Sequence, residues 1–238
     1  MPIKEETMTR FGVVLSLLML LPPLTADAQD VFSYTPVKHA SFILQAGATT
    51  VYVDPVGDPG EYAAFPPPDL ILITHIHKDH LAPELLATLK QADTTIIGSP
   101  TVIEQLGYGI AMGNGESTVA HGLEIETLPA YNTTAERLNY HPKGRDNGYL
   151  LSKAGTRLYI SGDTEDIPEM RALKDIDVAF VCMNLPFTMS VEQAASAVNE
   201  FKPKIVIPYH YRGKPEMSDI DLFERLVSGA KVSRLTWY

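Results

Sequence analysis

Thr74–His80, THIHKDH, places three histidines and an aspartate within seven residues, directly after the apolar run Leu70-Ile71-Leu72-Ile73. The apolar run has the character of a buried strand. Strand side chains alternate between faces, so His75 and His77 are expected to share one face, with the strand ending near His77. The next stretch, Leu81–Lys90 (LAPELLATLK), has apolar positions three to four apart and reads as a helix, leaving Asp79 and His80 in the turn between. A packed core has no use for this many polar groups, since each one buried without a partner costs about 1–3 kcal/mol. A strand end with two imidazoles, followed by a turn with a carboxylate and a third imidazole, can supply two adjacent metal ions. Imidazole nitrogen with carboxylate oxygen suits zinc, and also manganese or iron.

The same logic recurs downstream. Asp163 follows the strand-like RLYISG, where Gly162 lets the backbone turn closely, and His210 follows IVIPY. Ligand-type residues thus gather at the carboxyl ends of strands, where α/β folds place their sites. Asp54 ends TTVYVD and is read either as a carboxylate that accepts the second ring N–H of a metal-bound histidine or as part of an Asp-Pro turn. His39, in VKHASFIL, either lines the pocket or ends a turn. His121, before Gly122 at an expected hairpin turn, is read as structural.

Around these points the chain alternates short strands with helices. SFILQAG, TTVYVDP, TTIIGS, GLEIETLPA, GYLLSKAGTRLYISGD with a hairpin at Ala154-Gly155, DVAFVCM, KIVIPYH and a closing KVSRLTW read as strands, and VIEQLG, SVEQAASAVNEF and SDIDLFERLVSG as helices. Hairpins mixed with strand-helix units imply an α+β fold of two face-to-face sheets with helices outside. Lys4 and Arg10 ahead of FGVVLSLLMLL, leading to Ala26-Asp27-Ala28, read as a secretory signal over residues 1–28. A single domain over 29–238 is then expected, exported to a periplasm or secreted, with no stable membrane insertion after cleavage. The net charge of −10 opposes phosphate-backbone binding, so nucleic acid is not the expected partner. Cys182, the one cysteine, lies within an apolar strand and reads as a small core residue. With no G-x-S-x-G elbow, a serine or cysteine nucleophile is disfavoured.

H-x-H-x-D-H at His75–His80, SGDT with Asp163 and PYHY with His210 together resemble the metallo-β-lactamase-fold hydrolase superfamily. KHASFIL, TVYVDP, PAYN, HPKG and IPYHY look most like its ascorbate-6-phosphate-lactonase-like branch, which also resembles phospholipase D enzymes acting on N-acyl phosphatidylethanolamines. The resemblance implies a four-layer αββα sandwich of two pseudo-symmetric halves and two divalent ions, zinc first among them and Mn2+ or Fe2+ as alternatives. His75 and His77 would bind one ion, Asp79, His80 and His210 the other, and Asp163 both. The histidine usual after the strand GLEIETLPA is replaced here by PAYN, so the remaining position falls to His141, to Asn132 or to water, with His141 favoured. The implied reaction is hydrolysis of a small molecule by a metal-activated hydroxide oriented by Asp79. Tyr131, Asn132, Arg145 and Tyr209 are candidate substrate contacts, and Arg145 would suit a carboxylate or phosphate. A metal-binding or sensory protein without turnover is the rival reading.

Overall fold

The structure is a computed structural model, and it describes Met1 and residues 31–238; the expected signal segment lies outside the described residues. A six-stranded sheet runs in the order β1 (Phe32–Lys38), β2 (Ser41–Ala46), β3 (Thr49–Val53), β4 (Leu70–Ile73), β5 (Thr95–Gly98) and β6 (Ile110–Ala111). The second, seven-stranded sheet comprises β7 (Ser117–Ala120), β8 (Leu123–Ala130), β9 (Asp146–Lys153), β10 (Thr156–Ile160), β11 (Val178–Cys182), β12 (Ile205–Tyr209) and β13 (Lys231–Val232), also paired in chain order. Each sheet begins with antiparallel hairpins and turns parallel partway, at β3–β4 in the first and at β10–β11 in the second. The halves thus repeat one topology, and β3 corresponds to β10.

Alternation along the strands builds the layers. In β4, Leu70 and Leu72 enter the core between the sheets, whereas Ile71 and Ile73 face outward beneath α1 (Pro83–Leu89) and α2 (Pro100–Leu106), where they meet Leu85, Leu86 and Val102. Phe42 of β2 stacks on Phe180 of β11 across the inner core, with ring centroids 4.3 Å apart. The short α3 (Pro168–Arg171), then α4 (Val191–Phe201) and α5 (Ile220–Leu226) cover the other side through residues such as Val198, Phe201 and Phe223. The result is the expected αββα sandwich. Among the described residues, no helix is long and apolar enough to cross a membrane.

Several element boundaries differ from expectation. β4 stops at Ile73 rather than near His77, because the Asp54 carboxylate takes the Thr74 N–H at 2.7 Å and diverts the chain from the ladder. The helix after the motif spans Pro83–Leu89, opening with proline at its first turn and losing the terminal residues of LAPELLATLK. Of KVSRLTW only Lys231–Val232 pairs as a strand; Trp237 instead packs among Phe42, Phe180 and Tyr209. His121 occupies a β7–β8 turn, with Thr95 Oγ1 2.9 Å from its Nε2. It ties the two sheets together away from the histidine motif.

Candidate metal centre

The turn after β4 is organised by Asp54. Its carboxylate accepts the Thr74 N–H and hydroxyl, both at 2.7 Å, and the His80 Nδ1–H at 2.8 Å. Thr74 Oγ1 in turn accepts the His75 Nδ1–H at 2.9 Å. With the Nδ1 atoms committed, the Nε2 atoms of His75 and His80 face inward. His77 presents its Nδ1 3.0 Å from His75 Nε2, so these two rings converge although both lie beyond the strand.

The second half supplies the opposing donors. Asp163 sits just past β10, after Gly162 at φ +61°, where a Cβ would stand 2.7 Å from the Asn147 carbonyl. Its oxygens lie 3.5 Å from His80 Nε2, 3.2 Å from His210 Nε2 and 3.4 Å from His141 Nε2. His210 ends β12, and its Nε2 is 3.1 Å from His80 Nε2 and 3.8 Å from Asp79 Oδ2. His141 reaches the cluster because its loop folds back, with the Asn132 N–H donating to the His141 carbonyl at 2.8 Å. Asp146 then holds the His141 Nδ1–H at 3.0 Å. The Asn132 side chain points elsewhere, donating to the Arg137 and Phe187 carbonyls.

His39 closes the outer side of the cluster. Its Nε2 lies 3.2 Å from Asp79 Oδ2 and its Nδ1 3.0 Å from the Tyr238 hydroxyl. Three of these residues, His39, Asp54 and His210, hold positive φ angles of 58°, 42° and 45°, an unusual backbone state that packing must enforce. His121 shares that state at 48°, so the conformation alone does not mark the site.

The electrostatics favour a cation. Burial lowers His75 and His77, and it outweighs Asp163 to keep His210 lowered as well, so these rings present neutral lone pairs. Burial also works against protonation of His80, but Asp163, Asp54 and Asp79 together outweigh it and hold its pKa at about 9. Asp163 remains ionised despite its burial because His210 and His80 face it, and its Oδ1 has no hydrogen-bond partner among the described residues. Bonds of 2.0–2.1 Å at tetrahedral angles would separate donors by about 3.3 Å. The observed spacings between 3.0 and 3.5 Å match that figure. Three groups of donors lie close enough to share an ion, His75 with His77 and His141, His39 with Asp79 and His210, and His75 with His80 and Asp163; the residues present fit a divalent cation.

Above the cluster opens a cavity of about 730 Å³, with Asp79, Asp163 and His210 on its floor. Of the expected substrate contacts His39 lines it, whereas Tyr131, Asn132, Arg145 and Tyr209 do not. Arg145 is taken up by Asp146 at 2.6 and 2.8 Å, and so supports the carboxylate that holds His141. Tyr131 is buried and donates its hydroxyl to Glu169, Tyr209 packs in the core against Phe42 and Phe180, and Asn132 faces the Phe187 loop. Cavity residues that went unread in the sequence include Asn184, 3.1 Å from His210 Nε2, together with Arg212 and Lys214. Asn184 follows strand β11, so the strand-end rule that singled out Asp163 and His210 applied to it as well. Cys182 is fully buried and its thiol is pushed up to about 12 by burial, consistent with a packing role.

The αββα sandwich with a histidine-aspartate cluster at its strand ends defines a metal-binding class of protein. A model of the beta-lactamase superfamily domain matches residues 34–210, and the chain belongs to that superfamily, in its metallo-β-lactamase form. It is 31% identical to a UPF0173 metal-dependent hydrolase of Thermodesulfovibrio yellowstonii, over 92% of each chain. A crystal structure from Parabacteroides distasonis, designated a metal-dependent hydrolase, is 43% identical with a TM-score of 0.80, covering 86% of this chain and 94% of that one. Igni18, a metallo hydrolase from Ignicoccus hospitalis, shares the fold at a TM-score of 0.73 and 24% identity, covering 87% of this chain and 95% of its own.

Proposed function

We propose that this chain is a binuclear metal-dependent hydrolase acting on an ester, lactone or phosphodiester bond of a small molecule. His75, His77 and His141 would hold one ion, Asp79, His80 and His210 the other, with Asp163 shared. The observation that carries this reading is the convergence of these donors on the floor of an open cavity, with His80 and His141 tied at Nδ1 to carboxylates and His75 to a hydroxyl. Neutral imidazoles with carboxylates favour zinc, with manganese and iron as alternatives. Two such ions, when bound, supply hydroxide near neutral pH and polarise the attacked oxygen.

The chain's own residues then position and move protons. Asp79 faces the cavity and is held by His39, with His80 and His210 keeping it ionised against the upward push of burial. It is placed to orient the nucleophile and to accept its proton. KHASFIL and IPYHY resemble the lactonase-like branch, which makes lactones and esters the first substrates to examine.

The test is metal content of the purified full chain, together with hydrolysis of lactone, ester, phosphodiester and β-lactam model substrates with and without added zinc or manganese. Metal-dependent turnover on any of these classes is the expected result. Two bound equivalents without turnover on every class would replace this reading with that of a metal-binding protein.

A further inference from the structure

We infer that Arg212 and Lys214 form an oxyanion-binding subsite at the mouth of the cavity, and that the ligand carries a carboxylate or phosphate group apart from any bond that is cleaved. That this ligand is a substrate rests on the hydrolase reading; the subsite itself does not.

This acidic chain, of net charge −10, spends nearly all its arginines on internal partners. Of those among the described residues, Arg137, Arg145, Arg157, Arg171, Arg225 and Arg234 are each tied to a carboxylate or a carbonyl. Arg212 alone has no such partner among the described residues. Its guanidinium instead lies over the Tyr238 ring, 4.3 Å from the centroid, and Lys214 lies 5.5 Å from the Phe187 ring. A ring holds a cation through its face and occupies none of the N–H donors. Both cations therefore stand with their side-chain donors unspent among the described residues, and both line the cavity. Lys38 lines it too, but is engaged by Glu61 at 3.2 Å.

The loop bearing them is fixed to the metal centre. It starts at His210, and it is closed by the Ser218 N–H on the Tyr211 carbonyl and the Lys214 N–H on the Leu185 carbonyl, both at 2.9 Å. Gly213 is buried between the two cations, and a Cβ there would collide with that same Leu185 carbonyl. The cations thus sit two and four residues beyond a ligand candidate, on backbone with little room to shift. A planar guanidinium with a neighbouring ammonium matches a carboxylate or a phosphate. The enclosing cavity is of small-molecule size.

Trp237 is the chain's one tryptophan and lines the cavity, so its fluorescence reports occupancy without turnover. The zinc-loaded full chain would be titrated with 3-phenylpropanoate, phenyl phosphate and the neutral 3-phenylpropanamide, in wild type, R212K, R212A and the R212A/K214A double variant, with zinc content measured for each. The wild type should bind at least one of the anions about tenfold more tightly than the amide. That preference should shrink in R212K and vanish in the double variant while amide binding holds. Whichever anion loses more affinity identifies the favoured headgroup, carboxylate or phosphate. An anion preference that survives intact in the double variant belongs to the ions alone and overturns the subsite, as does equal wild-type binding of the anions and the amide. A failure of hydrolysis would leave these affinities untouched, so the two readings fail separately.

Discussion

Replacing Asp54 by asparagine should weaken both metal positions, although Asp54 is not among the proposed ligands. In the wild-type protein Asp54 Oδ2 accepts the His80 Nδ1–H at 2.8 Å and the Thr74 hydroxyl at 2.7 Å, and that hydroxyl accepts the His75 Nδ1–H. One carboxylate thereby fixes the tautomer of one histidine in each group. An asparagine can still accept the Thr74 N–H through its oxygen, but its amide nitrogen then faces Thr74 Oγ1 and His80 Nδ1. Both would have to become acceptors; His80 would turn its Nε2 proton inward, and the reversed threonine hydroxyl would force the same on His75. Partners of this kind typically contribute about 10–100-fold to metal affinity, or roughly 1.4–2.7 kcal/mol. Zinc affinity measured by competition with a chromophoric chelator should therefore fall by about that factor for both equivalents in D54N. Thr74→Val keeps the Asp54–His80 bond and strips only the His75 partner, so it should weaken one equivalent and spare the other. The reasoning fails if D54N binds both equivalents as tightly as wild type, or if T74V weakens both to the same degree.

His141→Ala should lose one of the two metal equivalents by elemental analysis, whereas Asn132→Ala should keep both, since its side chain is spent on the Arg137 and Phe187 carbonyls. Leu86→Ala, at a fully buried position on the inner face of α1, should cost about 2–5 kcal/mol in denaturant unfolding of the metal-free protein while leaving zinc stoichiometry unchanged. Tyr238→Phe removes the hydroxyl that faces His39 Nδ1; because ionised Asp79 can only accept, His39 must still donate from Nε2, so 15N shifts of its ring should report Nδ1 losing its hydrogen-bond donor while the Nε2–H tautomer persists. N-terminal sequencing of protein recovered from the cell envelope fraction should begin at Gln29 if residues 1–28 are a cleaved signal, and a start at the first methionine would refute export by that route.

THIHKDH was legible because ligand density within seven residues has no packing explanation, and Asp163 and His210 because each is polar at the end of an apolar strand. Asp54 was legible as a carboxylate that could accept a histidine ring N–H, with the choice of His80 and the two bonds from Thr74 beyond reach of the sequence. The placement of β4's end was not legible: it depends on Asp54 capturing the Thr74 N–H across twenty positions, and no local periodicity encodes that bond. The assignment of Arg145 to substrate failed for a related reason. An arginine beside an aspartate reads equally as a free cation or a spent one, and only the folded loop shows both Asp146 oxygens engaged. Arg212 lacked any sequence signal because its distinction is that no carboxylate or carbonyl engages it among the described residues, which is a property of three-dimensional neighbourhood.

The repeat in topology explains why the two halves contribute unequally. Asp54 and Asp163 follow the equivalent strands β3 and β10, yet one is saturated by Thr74 and His80 while the other keeps Oδ1 without a hydrogen-bond partner among the described residues. The difference lies in the residues that come after the next strand of each half. After β4 the chain delivers Thr74, His75 and the turn to His80, which fill the space beside Asp54 with donors. After β11 it delivers Met183 and Asn184, and Asn184 turns its amide toward His210 rather than Asp163. Asp163 is therefore left facing His210 and His141 of its own half and His80 of the other. A duplicated scaffold thus becomes a single centre because one copy carries the ligand-rich turn and the other sets Asp163, His141 and His210 against it.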